Sequence, residues 1–80
     1  MFLPRDGSAN LRVEVDGIDI IVTMPLTSFR MAYRKAQGNP WLIASDYVRD
    51  DRDAPITRAE FLAQAWRAAN EKARKLGWLV

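Results

Sequence analysis

Alternation of apolar and polar residues runs through two consecutive segments in the first third of the chain and is strict in the first of them. Segment 11–16 reads Leu-Arg-Val-Glu-Val-Asp, and segment 18–24 reads Ile-Asp-Ile-Ile-Val-Thr-Met. A period of two is typical of a β-strand with one buried and one solvated face. The dipeptide Asp16-Gly17 between them favours a tight type I′ turn, in which both central residues need positive φ. The sequence therefore predicts a β-hairpin whose second strand has an inner face of Ile18, Ile20, Val22 and Met24.

The next apolar segment, residues 28–35, fits two periods. With a period of two, Phe29 and Tyr33 share an inner face; with a helical period, Ala36 joins them in a stripe. Helix propensity favours the second reading, because the segment is rich in Arg, Met, Ala and Lys. A lone hairpin is only marginally stable, however, and further strands give it enough surface to hold a helix. We therefore predict strands over 28–35 and, after a turn, over 41–45.

The last third of the chain has the pattern of a capped amphipathic helix. A charged connection, residues 46–56, leads to Thr57, and Glu60 follows three positions later as in a capping box. The helix is predicted over 57–76, because Gly77 is a favourable residue just past a helix C-terminus. Its apolar stripe consists of Phe61, Leu62, Ala65, Trp66, Ala69, Ala73 and Leu76.

These elements predict an α+β fold: a three- or four-stranded antiparallel β-meander with one long C-terminal amphipathic helix packed on one face. With 80 residues, no internal repeat and no linker, the chain is expected to be a single domain over 1–80. Such a small domain without disulfides must be stabilised by one packed core. We therefore expect the three tryptophans to be core residues: Trp41, Trp66 and Trp78.

The composition argues against most catalytic chemistry. The chain has no histidine and no cysteine, so its serines and threonines have no usual base to activate them. No pair of carboxylates is singled out by its spacing. One dense acidic cluster exists, but Arg49 and Arg52 interrupt it and would repel a cation, so we interpret it as a solvated loop. We predict no enzyme, no cofactor and no metal site. The cluster consists of Asp46, Asp50, Asp51 and Asp53.

The charge is nearly balanced, with twelve basic and ten acidic residues and a net charge of +2. Basic residues could still form a nucleic-acid surface if they share the outward face of the sheet and the end of the helix. The same sheet face carries Glu14, Asp16 and Asp19, so a mixed solvated face is the favoured interpretation. The candidate nucleic-acid-binding residues are Arg12, Arg30, Arg34, Arg74 and Lys75.

The favoured functional hypothesis is a small non-enzymatic protein-interaction module. A meander of short strands has two edges, and sheet edges pair with other chains unless they are blocked. The partner would be a second copy in a homodimer or another protein, with Trp78 as a candidate partner anchor. Nucleic-acid binding is the alternative. The sequence has no apolar stretch of membrane-spanning length and no signal-peptide pattern, so a cytoplasmic protein without membrane partners is expected. The oligomeric state and the identity of the partner are left open.

Overall fold

A computed structural model describes residues 11–46 and 48–79, and the structural statements below concern these residues. The chain forms an antiparallel meander with the strand order β1-β2-β3-β4, followed by one helix packed against the sheet. This architecture confirms the predicted α+β fold and selects four strands over three. The elements are β1 (Arg12–Asp16), β2 (Asp19–Thr23), β3 (Arg30–Lys35), β4 (Leu42–Ala44) and α1 (Arg58–Lys75).

The first hairpin forms where predicted, but its turn differs from the predicted one. Asp16 pairs with Asp19, so Gly17 and Ile18 are the two central residues. Gly17 has a φ of +62° and Ile18 does not lie in the left-handed region, as in a type II′ turn. The predicted type I′ turn is wrong because a β-branched residue resists positive φ. Ile18 is therefore a turn residue, 63% exposed, and not part of the inner face.

The ambiguous middle segment is a strand. Tyr33 is buried, and its backbone pairs with Ile20 on one side and Ala44 on the other. Pairing with the two neighbouring strands therefore outweighs the helical propensity of the segment, as tertiary context often does. Both later strands are shorter than predicted, because β3 starts at Arg30 and β4 spans only Leu42–Ala44.

The helix begins at the predicted capping box. Thr57 Oγ1 accepts a hydrogen bond from the Glu60 N–H at 3.1 Å, and Glu60 Oε1 accepts one from the Thr57 N–H at 3.0 Å. At the other end Leu76 is the C-cap, and Gly77 has a φ of +80°. Within the described residues, no helix combines the length and apolar character that crossing a bilayer would require.

The core lies between the helix and the middle of the sheet. Ile20 and Val22 of β2 are fully buried beneath a helical stripe that includes Ala65 and Ala69. Alanine side chains are short, so the helix can approach the sheet closely. At the helix N-terminal end Phe61 stacks on Phe29, with ring centroids 4.8 Å apart. Leu79 and the half-buried Trp78 pack onto this core, in line with the predicted core position of Trp78, and Val80 lies outside the described residues.

Two of the three tryptophans are not core residues. Trp41 is 51% exposed in the turn before β4, and Trp66 is 44% exposed on the flank of the helix. Trp66 lies edge-on to the Tyr33 ring, with centroids 5.7 Å apart. The predicted core position of both is wrong. On the helix, alanines fill the centre of the apolar stripe and leave only its flank for the Trp66 ring, whereas Trp41 lies in a turn outside the core. The same geometry leaves Leu76 exposed at the helix end.

Candidate interaction site

The strand register places Arg12, Arg30 and Arg34 on the outward face of the sheet, away from the helix. Each of the three is ion-paired. Arg34 Nε lies 3.1 Å from Asp19 Oδ1, and Arg30 Nη1 lies 2.7 Å from Asp46 Oδ2. Arg34 is held further by a second bond from Nη2 to the same aspartate, whose Oδ1 also accepts from the Ser45 hydroxyl.

This outward face carries no excess of positive charge. Arg12 Nε lies 3.9 Å from Glu14 Oε1, and Asp16 stands in the same row of the sheet as Asp19 and Arg34. The three arginines therefore share their surface with four carboxylates, two of which are those of Glu14 and Asp16. A phosphate backbone would have to displace these carboxylates, so the charge pattern gives the nucleic-acid hypothesis no support.

The two remaining candidate nucleic-acid residues lie on the helix, which covers the opposite face of the sheet. Lys75 Nζ is 3.5 Å from Glu71 Oε1, in an i,i+4 ion pair along the helix. Arg74 is exposed and makes no ion pair with another described residue. The structure does not bring these two side chains onto the surface that carries the three sheet arginines.

The acidic segment before the helix is held beside the sheet by Asp51 in addition to the ion pair of Asp46 with Arg30. Asp51 Oδ2 accepts a hydrogen bond from the Ser28 N–H at 2.7 Å, and its Oδ1 accepts one from the Asp53 N–H at 3.0 Å. These bonds position the loop beside the start of β3. In the described ranges 11–46 and 48–79, no three acidic side chains gather in a cluster that could hold a metal ion.

Trp78 lines an open cavity of about 620 Å³ at the end of the sheet that carries the first hairpin turn. The exposed side chains of Ile18 and Ile43 form part of its wall, and Arg34 and Lys35 border it. Since Trp78 is only half buried, its ring remains accessible from this cavity. The arrangement is compatible with the predicted anchoring role, which stays a prediction.

The sheet has two edge strands, and they differ in length and covering. β4 is three residues long, and very short edge strands are one way in which proteins prevent edge-to-edge pairing. β1 is five residues long and has no proline or lysine. No other described strand pairs with its outer side. Of the two edges of the described sheet, β1 is therefore the longer, and it has no proline or lysine to block pairing.

The backbone of β1 offers its hydrogen-bonding groups at two valines. The Met24 N–H donates to the Phe29 carbonyl at 3.3 Å. Because backbone groups alternate along an antiparallel strand, that bond directs the even-numbered residues of β2 toward β3 and the odd-numbered ones toward β1. The odd-numbered residues of β2 pair with even-numbered residues of β1, such as Glu14. The N–H and C=O groups of Val13 and Val15 therefore point away from the sheet.

The inward side chains of β1 are only partly covered. The helix packs mainly over β2, where Ile20 and Val22 are fully buried. On β1 the corresponding side chains are Val13, which is half buried, and Val15, which is 42% exposed. Apolar side chains beside an unpaired backbone edge are the features that an added strand recognises.

A groove of about 380 Å³ lies between β1 and the flank of the helix, with Val13 at its base. One of its lining residues is Gln64, whose Oε1 is buried and accepts no hydrogen bond from the described residues. A buried acceptor without a donor is unfavourable by about 1–3 kcal/mol. The helical side of the groove consists of Gln64, Arg67, Ala68, Glu71, Lys72 and Lys75.

Sequence reasoning identified that a meander has open edges, but not which edge or which side chains. The alternation in 11–16 assigns Val13 and Val15 to the inner face without showing how far the helix covers them. The predicted strands over 11–16 and 41–45 differ in length by one residue, so the sequence carried no signal for the short β4 edge that the structure shows. Comparison with protein-family models, with curated proteins and with solved structures finds no match for this chain.

Proposed function

We propose that this chain is a non-enzymatic protein-interaction module that binds its partner through the outer edge of β1 and the groove beside it. The proposal is supported by two features that Val13 and Val15 combine. Their backbone groups point away from β2 at the edge of the sheet, and their apolar side chains are only partly covered. Acting in the cytoplasm stays a prediction from the sequence. The lack of histidine and cysteine supports a binding role over a catalytic one.

The expected mode of binding is β-augmentation, in which a partner segment adds a fifth strand to the sheet. Main-chain hydrogen bonds to Val13 and Val15 would supply affinity, and the alternating side chains of the added strand would supply specificity. Its inward side chains would meet the apolar base of the groove. Its outward side chains would meet Arg12 and Glu14, so a partner with alternating apolar and charged residues fits best.

The proposal can be tested with a displayed library of seven-residue segments selected on the whole chain. Val15→Lys places a charged side chain at the inward face of the edge, a device that natural sheets use to block pairing. Ile43→Lys is the matched control, because Ile43 is 46% exposed on the opposite edge strand. Enriched segments should alternate apolar and polar residues. They should bind Ile43→Lys like the parent and Val15→Lys about tenfold more weakly.

Amide shifts of the uniformly labelled protein locate the binding site. Selected segments should move the resonances of Val13, Val15 and Ala68 and leave those of Leu42 and Ala44 at the other edge in place. Segments that bind both lysine variants equally would contradict the proposal, as would a library without enrichment. Salt-sensitive binding of a mixed-sequence oligonucleotide that weakens in Arg30→Ala would instead favour the nucleic-acid alternative.

A further inference from the structure

We propose that the strand added to β1 is β1 of a second copy, joined antiparallel across a two-fold axis at Val13. The inference rests on the proposed function and specifies its partner. An isologous pair of edges buries the same surface on both copies and leaves no free β1 edge, so the assembly closes at two chains. The result is one eight-stranded sheet with both helices on the same face.

The two-fold register at Val13 is complementary in charge. It places Arg12 opposite Glu14 of the second copy, and by symmetry Glu14 opposite Arg12 of that copy. Within one chain these two side chains are already neighbours on the outward face, with Nε and Oε1 3.9 Å apart. The interface therefore forms an alternating row of two arginines and two glutamates, and opposite charges directly across a strand pair are stabilising.

The inward face of the same register is apolar throughout. Val13 faces Val13 of the second copy, and Val15 faces the half-buried Leu11. The backbone groups of these odd-numbered residues are the ones that point away from β2, so each facing pair can exchange two hydrogen bonds. The register thus matches backbone, apolar and charged groups at once.

Neighbouring registers match less well. A shift of one residue turns the apolar face of one copy toward the solvated face of the other. A two-fold axis at Glu14 would keep the apolar pairing but place two Glu14 carboxylates directly opposite each other. An axis at Arg12 would place two arginines opposite each other. Like charges in directly opposed positions are unfavourable, so the axis at Val13 is selected.

The grooves beside the two β1 strands would join into one channel roofed by the helix flanks. Each helix lies mainly over β2, so the two helix axes would be about three strand spacings apart, or roughly 14 Å. Because a helix with its side chains is about 10–12 Å wide, the two facing flanks would lie close together, and each carries Glu71 among Arg67, Lys72 and Lys75. Gln64, whose buried Oε1 accepts no hydrogen bond from the described residues, would line this channel.

Charge exchange tests both the partner and the register. In a homodimer, Arg12→Glu places two carboxylates directly opposite each other at two symmetric positions, and Glu14→Arg places two guanidinium groups there. Each single variant should therefore dimerise about tenfold more weakly than the parent in sedimentation velocity. An equimolar mixture of the two variants should dimerise as tightly as the parent. One chain of each variant pairs with the other, and every facing pair in that heterodimer is oppositely charged. The double exchange, Arg12→Glu with Glu14→Arg, should dimerise like the parent.

The mixture separates an effect between copies from the loss of the ion pair within one chain, which mixing cannot restore. A parent that stays monomeric at millimolar concentration would overturn the inference, and single variants that dimerise like the parent would overturn the register. If the parent is monomeric but selected segments still bind at Val13 and Val15, the self-pairing fails and the proposed function stands. If neither binding occurs, both fail.

Discussion

The centre and the edge of the sheet carry the same alternation of apolar and polar residues but have different surroundings. In β2, Ile20 and Val22 are fully buried under the helix. In β1, the equivalent side chains are Val13 and Val15, and they have only the flank of the helix above them. An apolar pattern therefore shows which side of a strand faces inward, and not how completely that side is covered.

The difference follows from dimensions. A helix with its side chains is about 10–12 Å wide, whereas strands are spaced about 4.8 Å apart. One helix thus covers about two strands of a four-stranded sheet. Here the helix packs mainly over β2, and it covers the inward face less at β1. Substitutions in the region covered by the helix at β2 and in the less covered region at β1 should therefore differ in their effects.

The largest contrast is expected between Phe61 and Val15. Phe61→Ala removes a fully buried ring stacked on Phe29 and should destabilise the fold by roughly 3–5 kcal/mol. That cost approaches the total stability expected for a small domain, so the variant should be largely unfolded. Val15→Ala should cost less than about 1 kcal/mol. Urea unfolding followed by circular dichroism measures the free energy of unfolding of both variants. Similar losses would contradict the difference in packing between the centre and the edge of the sheet.

An intermediate effect is expected at the helix flank. Trp66→Ala removes a half-exposed ring and its edge contact with Tyr33, so the expected loss is about 1–2 kcal/mol. Trp66→Phe keeps an aromatic ring beside Tyr33 and should lose less than half of that. A loss as large as that of Phe61→Ala would show that the flank is as well packed as the centre.

A gain in stability is expected inside the groove. Gln64→Met keeps the length of the side chain and removes a buried oxygen that accepts no hydrogen bond from the described residues. The monomer should be stabilised by about 1 kcal/mol. Gln37→Met in an exposed turn is the control and should change the denaturation midpoint little. If Gln64→Met is destabilising, water reaches Gln64 Oε1 in the groove despite its burial.

The smallest effect concerns the helix N-terminus. Hydrogen bonds from the Thr57 backbone and side chain lower the pKa of Glu60 below its ordinary value of 4.5. A lowered folded pKa means that the ionised form is favoured by folding. Its contribution is fully present above pH 4.5 and is lost as the pH falls through the lower folded pKa. Glu60→Gln should therefore be less stable than the parent at neutral pH and converge with it in acid, as thermal melts at several pH values would show.

Local patterns were sufficient to predict most of the fold. Alternation predicted the hairpin, and the capping box at Thr57 predicted the start of the helix to within one residue. The turn type could not be predicted from Asp16-Gly17 alone, because it depends on which residues form the last pair before the turn. Here that pair is Asp16 and Asp19, so Gly17 and Ile18 are the central residues. The position of Trp66 depends on how closely the alanine stripe approaches the sheet, which is a tertiary property that no local pattern encodes. That of Trp41 depends on where β4 begins, because the residue lies in the turn just before that strand.

The candidate site was predictable only as a class. That a meander has pairing-competent edges follows from strand topology. That β1 is the available edge depends on the three-residue length of β4 and on the helix lying over β2. The face-sharing of Arg12, Arg30 and Arg34 was predicted, but their carboxylate partners depend on register and, for Asp46, on the course of a loop.

Amide hydrogen exchange tests most directly whether the outer edge of β1 pairs with a second copy. The Val13 and Val15 amides should exchange rapidly in dilute protein and become protected as the concentration rises. The Glu14 amide, bonded to β2, should be protected throughout, and the Leu42 and Ala44 amides at the other edge should not respond to concentration. Val13 and Val15 amides whose exchange is the same at every concentration, or a response confined to β4, would contradict the account.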